Sequence, residues 1–330
     1  MSVTQARIAH YLFAAGVVTA LAWQSDLRAF ALTNLLVQAV IFVALACVPA
    51  YRTGYMTYVD LAWPWGLVAL GVLTLGFGDL GAPLTLAVAA IYLAMGARMG
   101  IMAVRMVGTN GLTHELARYR YQRRRWARAG LRSERLSMQV EIMLQGAANM
   151  GILAIPAALA AAGSRSLGVV EIVALIVWVV SYVFESLADW QKARFGALSE
   201  RQGIKRSCDV GLWRYSRHPN YFGQWMQWNA LIVLVLPTLL DRRSDTSILA
   251  WVITLIGLAA ISKALYNTLV YFTGAVPAEY YSLQSRPDYA GYQAITSRFF
   301  PRPRRSGATP EADGRESSDP AHSDSPHGKV

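Results

Sequence analysis

Between Cys208 and Gln224 the chain reads Cys-Asp-Val-Gly-Leu-Trp-Arg-Tyr-Ser-Arg-His-Pro-Asn-Tyr-Phe-Gly-Gln. Two arginines, a histidine, two tyrosines, an asparagine and a tryptophan crowd one polar turn, and an apolar run, Trp225 to Leu240, follows at once. Arg214 and Arg217 carry fixed positive charge on planar forks that match phosphate oxygens. Trp213, Tyr215 and Tyr221 offer flat faces with polar tips for a ring system. Pro219 lacks an N–H and has a fixed φ, which suits the first turn of a helix; His218 or Asn220 then stands where a cap is needed. A helix starting there turns free N–H groups and partial positive charge toward the cluster. The inventory fits a phosphate-bearing nucleotide. It also fits a basic juxtamembrane segment resting on anionic headgroups.

Other residues with chemical potential lie outside this turn. Asp60, with Tyr58, Trp63 and Trp65, sits at the mouth of an apolar run, where a carboxylate is costly and tends to be functional. Glu185 and Asp189 are four apart and share a helix face, with Gln191 just beyond. Lys263 interrupts the last apolar run, and Glu185, Glu141 or Asp60 is its expected partner. Cys47 and Cys208 cannot build a zinc site, and no metal is expected. Gly76-Phe77-Gly78-Asp79-Leu80-Gly81 matches a dinucleotide pattern, but it ends an apolar segment instead of following a strand, so it is rejected. Gly96 and Gly100 read as a small-residue packing pair. His114, His322 and His327 carry no ligand pattern.

The elements that must position these groups are membrane helices. Of 330 residues 54% are hydrophobic and 15% charged, against about a quarter charged in soluble domains. The apolar residues fall in eight blocks, Ile8–Trp23, Phe30–Ala50, Leu61–Phe77, Pro83–Val104, Ile142–Ala162, Gly168–Leu187, Tyr221–Leu240 and Ile248–Tyr271, the third and sixth being the least regular. The expectation is an all-α polytopic membrane bundle of about 7–8 transmembrane helices. Net charge is +11, from 27 arginines and 4 lysines against 20 acids. Nine arginines fall in Arg105–Arg135, and seven Lys and Arg residues in Lys192–Arg217. The positive-inside rule accounts for this charge without nucleic acid and places both basic loops and both termini in the cytoplasm. The segment Arg118–Arg128, with Tyr119, Tyr121 and Trp126, reads as a lipid-surface helix. The arginine and alanine bias fits a GC-rich bacterial source, hence an inner (cell) membrane. Residues 1–301 form the membrane domain, with the site-bearing part in 185–301; 302–330, rich in Ser, Pro, Asp, Gly and Arg, is expected to be a disordered cytoplasmic tail.

The signature Gly-Leu-Trp-Arg-Tyr-Ser-Arg-His-Pro-Asn-Tyr-Phe-Gly resembles that of the steroid 5α-reductase-like integral-membrane family (the 3-oxo-5α-steroid 4-dehydrogenase C-terminal-domain type), in its bacterial branch. The likeness extends to Glu185, Asp189, Gln191 and Phe195 upstream and to Gly274, Glu279, Tyr289, Tyr292 and Thr296–Pro301 downstream. Asp60, Trp63, Gly66, Arg98 and Tyr119 to Tyr121 match more weakly. The resemblance implies an NADPH-dependent oxidoreductase that reduces a carbon–carbon double bond conjugated to a carbonyl in a steroid-like or other lipid. It implies cofactor contacts by Asp189, Arg194, Trp213, Arg214, Arg217, His218, Asn220, Tyr221 and Gln224. Tyr221 or Tyr215 is the expected proton donor, with Asp60 as a deeper alternative. One departure is visible: the family turn closes Phe-Gly-Glu, whereas this chain has Gln224. Isoprenylcysteine and phospholipid methyltransferases, which use S-adenosylmethionine, share a similar Arg-His-Pro-x-Tyr-x-Gly turn, and a non-catalytic lipid-binding protein is the third reading.

Overall fold

The computed structural model describes residues 2–305 apart from 111–114, 132, 164–165 and 204, and gives no side-chain description for 108–110. His114, His322 and His327 and nearly all of the expected tail lie outside the described residues. No strand occurs among the described residues.

Helix α1 (Val3–Trp23) turns sharply into α2 (Ser25–Phe42), which continues through a π-helical turn, Val43–Cys47, into α3 (Val48–Thr53). Then come α4 (Val59–Phe77) and α5 (Pro83–Asn110). These two run antiparallel and close together, because a Cβ on Gly96 would come within 2.8 Å of Val68 and of the Pro64 carbonyl, as the small-residue pair predicts. Short α6 (Ala117–Arg128) leads to α7 (Glu134–Met150), which breaks at Gly151 and resumes as α8 (Ile155–Ala161). Long α9 (Val169–Arg201) is followed by α10 (Pro219–Asp241), α11 (Ile248–Asn267), α12 (Ala275–Ser285) and α13 (Tyr289–Ile295). The dinucleotide-like glycines fall in the α4–α5 turn, where Gly78 ends α4.

Among the described residues, seven helical stretches are long and apolar enough to cross a membrane. Helix α10 is not among them, because Gln224, Gln227 and Asn229 make its first half polar. It nevertheless runs the length of the bundle. Its first turn lies beside the end of α9, where Asn220 meets Asp189, and Arg242 just past its end pairs with Asp26 at the α1–α2 turn. The two basic loops gather at one end: Arg124 of α6 hydrogen-bonds Tyr280 of α12, and α12 in turn is tied to the signature turn. Arg7 near the start of α1 lies over Trp126 of α6 at 5.6 Å. Outward faces are apolar, as lipid contact requires: Val169, Val173, Ile176, Val180 and Val183 of α9 are all exposed.

Three helices also share a buried amide network. Asn34 donates to the Asn149 and Met150 carbonyls at the end of α7, at 3.2 and 3.3 Å. Gln38 donates to Asn34 Oδ1 and to the Gly66 carbonyl of α4. Asn149 reaches back to the Trp63 carbonyl. The two Asn34 bonds occupy carbonyls at the end of α7 that its own last turn cannot satisfy.

Several boundaries differ from the hydropathy reading. Helix α7 begins eight residues before Ile142, because its polar first turns face partners: Arg7 pairs with Glu141 at 3.0 Å. Glu171, which disturbs the sixth apolar block, accepts from the Gly168 N–H at 3.0 Å at the helix start. Lys263 meets none of its three expected carboxylates, since Arg98 holds Glu185, Arg7 holds Glu141 and Arg118 holds Asp60. It stands on the exposed face of α11, where a lysine stem can carry its charge along apolar surface to water.

Candidate functional site

The signature turn is clamped between α9 and the C-terminal segment. Gly211 has φ 57°, a left-handed conformation that favours glycine. The Gln191 side chain lies within 2.5 Å of where a Cβ on Gly211 would stand, and Gln191 Oε1 accepts from the Leu212 N–H at 2.8 Å. The Trp213 indole donates to the Ala188 carbonyl at 2.9 Å. The Asp189-x-Gln191 and Gly-Leu-Trp stretches are thus two halves of one joint. On the other side, Ser216 Oγ donates to the Phe299 carbonyl and the Arg217 N–H to that of Ser297.

Pro219 opens α10 as the first-turn rule expects. His218 takes the cap position without its side chain capping, because the imidazole points to Glu279. That carboxylate, 3% exposed, saturates both oxygens. Oε1 accepts from Arg217 Nε at 2.8 Å and faces His218 Nε2 at 3.2 Å; Oε2 accepts from Gln293 and Arg298 at 3.0 and 3.1 Å. Arg217 Nη1 donates to the Gln293 and Thr296 carbonyls. Burial pushes His218 down to about 4, against the bond to Glu279, so the ring is neutral at physiological pH. It stacks on Tyr221 with centroids 5.2 Å apart. Arg217, whose fork suits a phosphate, and His218, an expected cofactor contact, both hold the turn to Glu279 of α12.

Beneath the turn lies a polar wall drawn from three helices. Arg98 of α5 bridges two carboxylates of α9: Nη1 meets Glu185 at 2.7 Å and Nη2 meets Asp189. Asn220 of α10 donates to Asp189 Oδ1 at 2.9 Å, and Gln227 to Glu185 Oε2 at 2.6 Å. Asn220 Oδ1 and Gln227 Oε1 are buried without a hydrogen-bond partner. Gln224 contacts Met99 Sδ at 3.4 Å and lines a narrow cleft with Arg98, Glu185 and Gln227. Helices α9 and α10 approach closely here because a Cβ on Gly223 would lie 3.0 Å from Glu185.

A second cluster stands across from it. Asp60 accepts from Arg118 Nη2 and from the Tyr119 hydroxyl, both at 2.5 Å. Burial, reinforced by Asp60, raises Tyr119 well above the usual phenol. Tyr221, stacked on His218, is near enough to Arg118, Asp189 and Asp60 to feel their charges.

The structure thus brings Asp60, Asp189, Asn220, Tyr221 and Gln224 to one region. Trp213 is a buried strut. Arg214 and Tyr215 are exposed on the turn, and Arg194 lies over Trp190 on the exposed side of α9. Arg98 and Tyr119 join the site although the sequence signalled them only by weak resemblance, and Glu185 joins it through the face it shares with Asp189, paired with Arg98 and not with Lys263. Cys47 and Cys208 are free. No grouping of His, Cys, Asp and Glu able to hold a metal ion occurs among the described residues.

A family model described as "Protein of unknown function (DUF1295)" matches residues 46–296, a range that contains both clusters and the whole signature turn. Neither the curated proteins nor the solved structures contain a match.

Proposed function

We propose, from the premise that the chain belongs to the DUF1295 family, that it is a membrane-embedded NADPH-dependent reductase of a carbon–carbon double bond conjugated to a carbonyl in a steroid-like or other lipid. The observation that carries this reading is the polar wall of Arg98, Glu185, Asp189, Asn220 and Gln227. Charged and amide groups at this depth in a bundle are costly and mark substrate or cofactor paths. The resemblance of the signature turn to the steroid 5α-reductase-like family supports the same activity.

The wall suits the carboxamide and ribose end of a nicotinamide nucleotide. Asn220 Oδ1 and Gln227 Oε1 lack donors, and Asp189 keeps a partly exposed carboxylate beside them. Arg214, exposed on the turn, is the cation available to phosphates, while Arg217 and His218 fix the turn from behind. NADPH, when bound, supplies the hydride. Tyr221 Oη holds the proton for the α-carbon, and Asp60 with Tyr119 forms the alternative proton-holding pair. The ring cluster of Phe222, Trp225, Tyr266, Phe299 and Phe300 keeps water from the lower face of the turn. Under the positive-inside rule the basic end faces the cytoplasm, where soluble nucleotides are.

Melting curves of the detergent-purified protein with NADPH and, separately, with S-adenosylmethionine test the reading. NADPH should raise the melting temperature, and Asn220→Ala should abolish the rise. Stabilisation by S-adenosylmethionine alone would mean methyl transfer, and stabilisation by neither would leave a lipid-binding protein.

A further inference from the structure

A second anion-friendly space lies on the far side of the turn from the polar wall. The segment after α13 folds back on itself: Arg302 N–H donates to the Tyr215 carbonyl at 2.9 Å and Arg305 N–H to that of Ile295 at 3.0 Å. These bonds close a loop around a cavity of about 300 Å³, lined by Arg217, Thr296, Arg298, Arg302 and Arg305 with Gln293. That volume is about ten times a water molecule's share of the liquid, enough for a phosphate ester with part of what it is attached to.

The charge balance of this loop is incomplete. Glu279 answers Arg217 and Arg298, but Arg302 and Arg305 meet no carboxylate among the described residues, and the cavity lining contains no acid. Thr296, 4% exposed, lines the cavity, and its Oγ1 is buried without a hydrogen-bond partner. A buried hydroxyl without a partner costs free energy that a ligand oxygen would recover. Planar guanidinium forks beside a hydroxyl donor, on a loop already closed by backbone bonds, match the oxygens of a phosphate group.

We propose that this cavity is a phosphate-binding site, filled either by an anionic lipid headgroup or by the phosphate of a soluble nucleotide. Neither Asp189 nor Asn220 lines it, so Asn220→Ala separates its failure from that of the reductase reading. The test uses the full chain in phosphatidylcholine nanodiscs. One arm adds adenosine 2′,5′-bisphosphate; the other replaces part of the lipid by phosphatidylglycerol without soluble phosphate. Whichever arm raises the melting temperature identifies the source. The double variant Arg302→Gln/Arg305→Gln should weaken that ligand at least about tenfold, Thr296→Val should weaken it less, and Asn220→Ala should leave it intact. The charge-matched control Arg128→Gln/Arg201→Gln, on exposed residues elsewhere, should also leave it intact. A rise in neither arm overturns the proposal, as does an equal loss in the control.

Discussion

Removing the guanidinium of Arg217 should cost the fold, not merely a ligand. Its side chain is 8% exposed and Glu279's 4%. Three bonds hold it: Nε to Glu279, and Nη1 to the Gln293 and Thr296 carbonyls. Breaking one side of a buried pair leaves the other charge unpaired, at about 3–5 kcal/mol, whereas replacing both sides by apolar groups of similar size can be nearly neutral. Arg217→Met and Glu279→Met should therefore each destabilise by about that much. The double variant should lose at least about 2 kcal/mol less than the sum. Arg298 softens the Glu279 variant slightly, because it is 43% exposed and can turn to water. The assay is a double-mutant cycle on equilibrium unfolding in detergent, with membrane insertion checked first. Strict additivity, or an Arg217→Met protein as stable as the parent, would refute the pairing and return Arg217 to the pool of free phosphate ligands.

Two further outcomes follow from the same turn. His218 has a folded-state value near 4 against 6.5 for the free side chain. Between those values only the unfolded chain takes up the proton, so stability should fall on acidification by up to roughly 1.4 kcal/mol per pH unit, with no contribution from this residue above about pH 6.5. His218→Phe, which keeps the stack on Tyr221, should flatten that slope in melting temperature against pH. Gly223→Val should destabilise by about 1–3 kcal/mol through overpacking, because even a Cβ meets Glu185 at 3.0 Å. Cross-linking yield between cysteines placed on α9 and α10 should fall with it, and an unchanged yield would mean that the helices do not touch there.

The sequence showed where the apolar blocks lie and where α10 starts, because hydropathy and proline geometry are local. It could also exclude a nucleotide loop at Gly76–Gly81, since what precedes those glycines is an apolar helix. It could not show who pairs with whom. Arg217 and Glu279 are 62 residues apart, and Arg98 and Asp189 are 91 apart; only the packed helices bring them together. The same limit explains Lys263, whose expected acids were each claimed by an arginine that composition treats as surface charge. Residue type alone left Arg217 open: a guanidinium suits a phosphate and a buried carboxylate equally well, and only the packed structure shows the Glu279 contact. Gln224 shows the reverse. Beside Arg98, already shared by Glu185 and Asp189, a third carboxylate would be surplus charge, so the neutral amide fits the wall as it stands.

The amides of Asn34 and Gln38 impose an order on biogenesis. They leave the ribosome with α2. Gln38 can donate to Asn34 and later to Gly66 of α4, yet the carbonyls that take the Asn34 amide, and the Asn149 amide that donates to Gln38 Oε1, belong to the end of α7, more than a hundred residues later. Until Met150 has been synthesised, α2 carries unmet polar groups that hydrocarbon tolerates poorly. The early helices must therefore wait inside the insertion machinery, or huddle with one another, before dispersing into lipid. A protein truncated before α7 would be a substrate for membrane quality control, however hydrophobic its segments are.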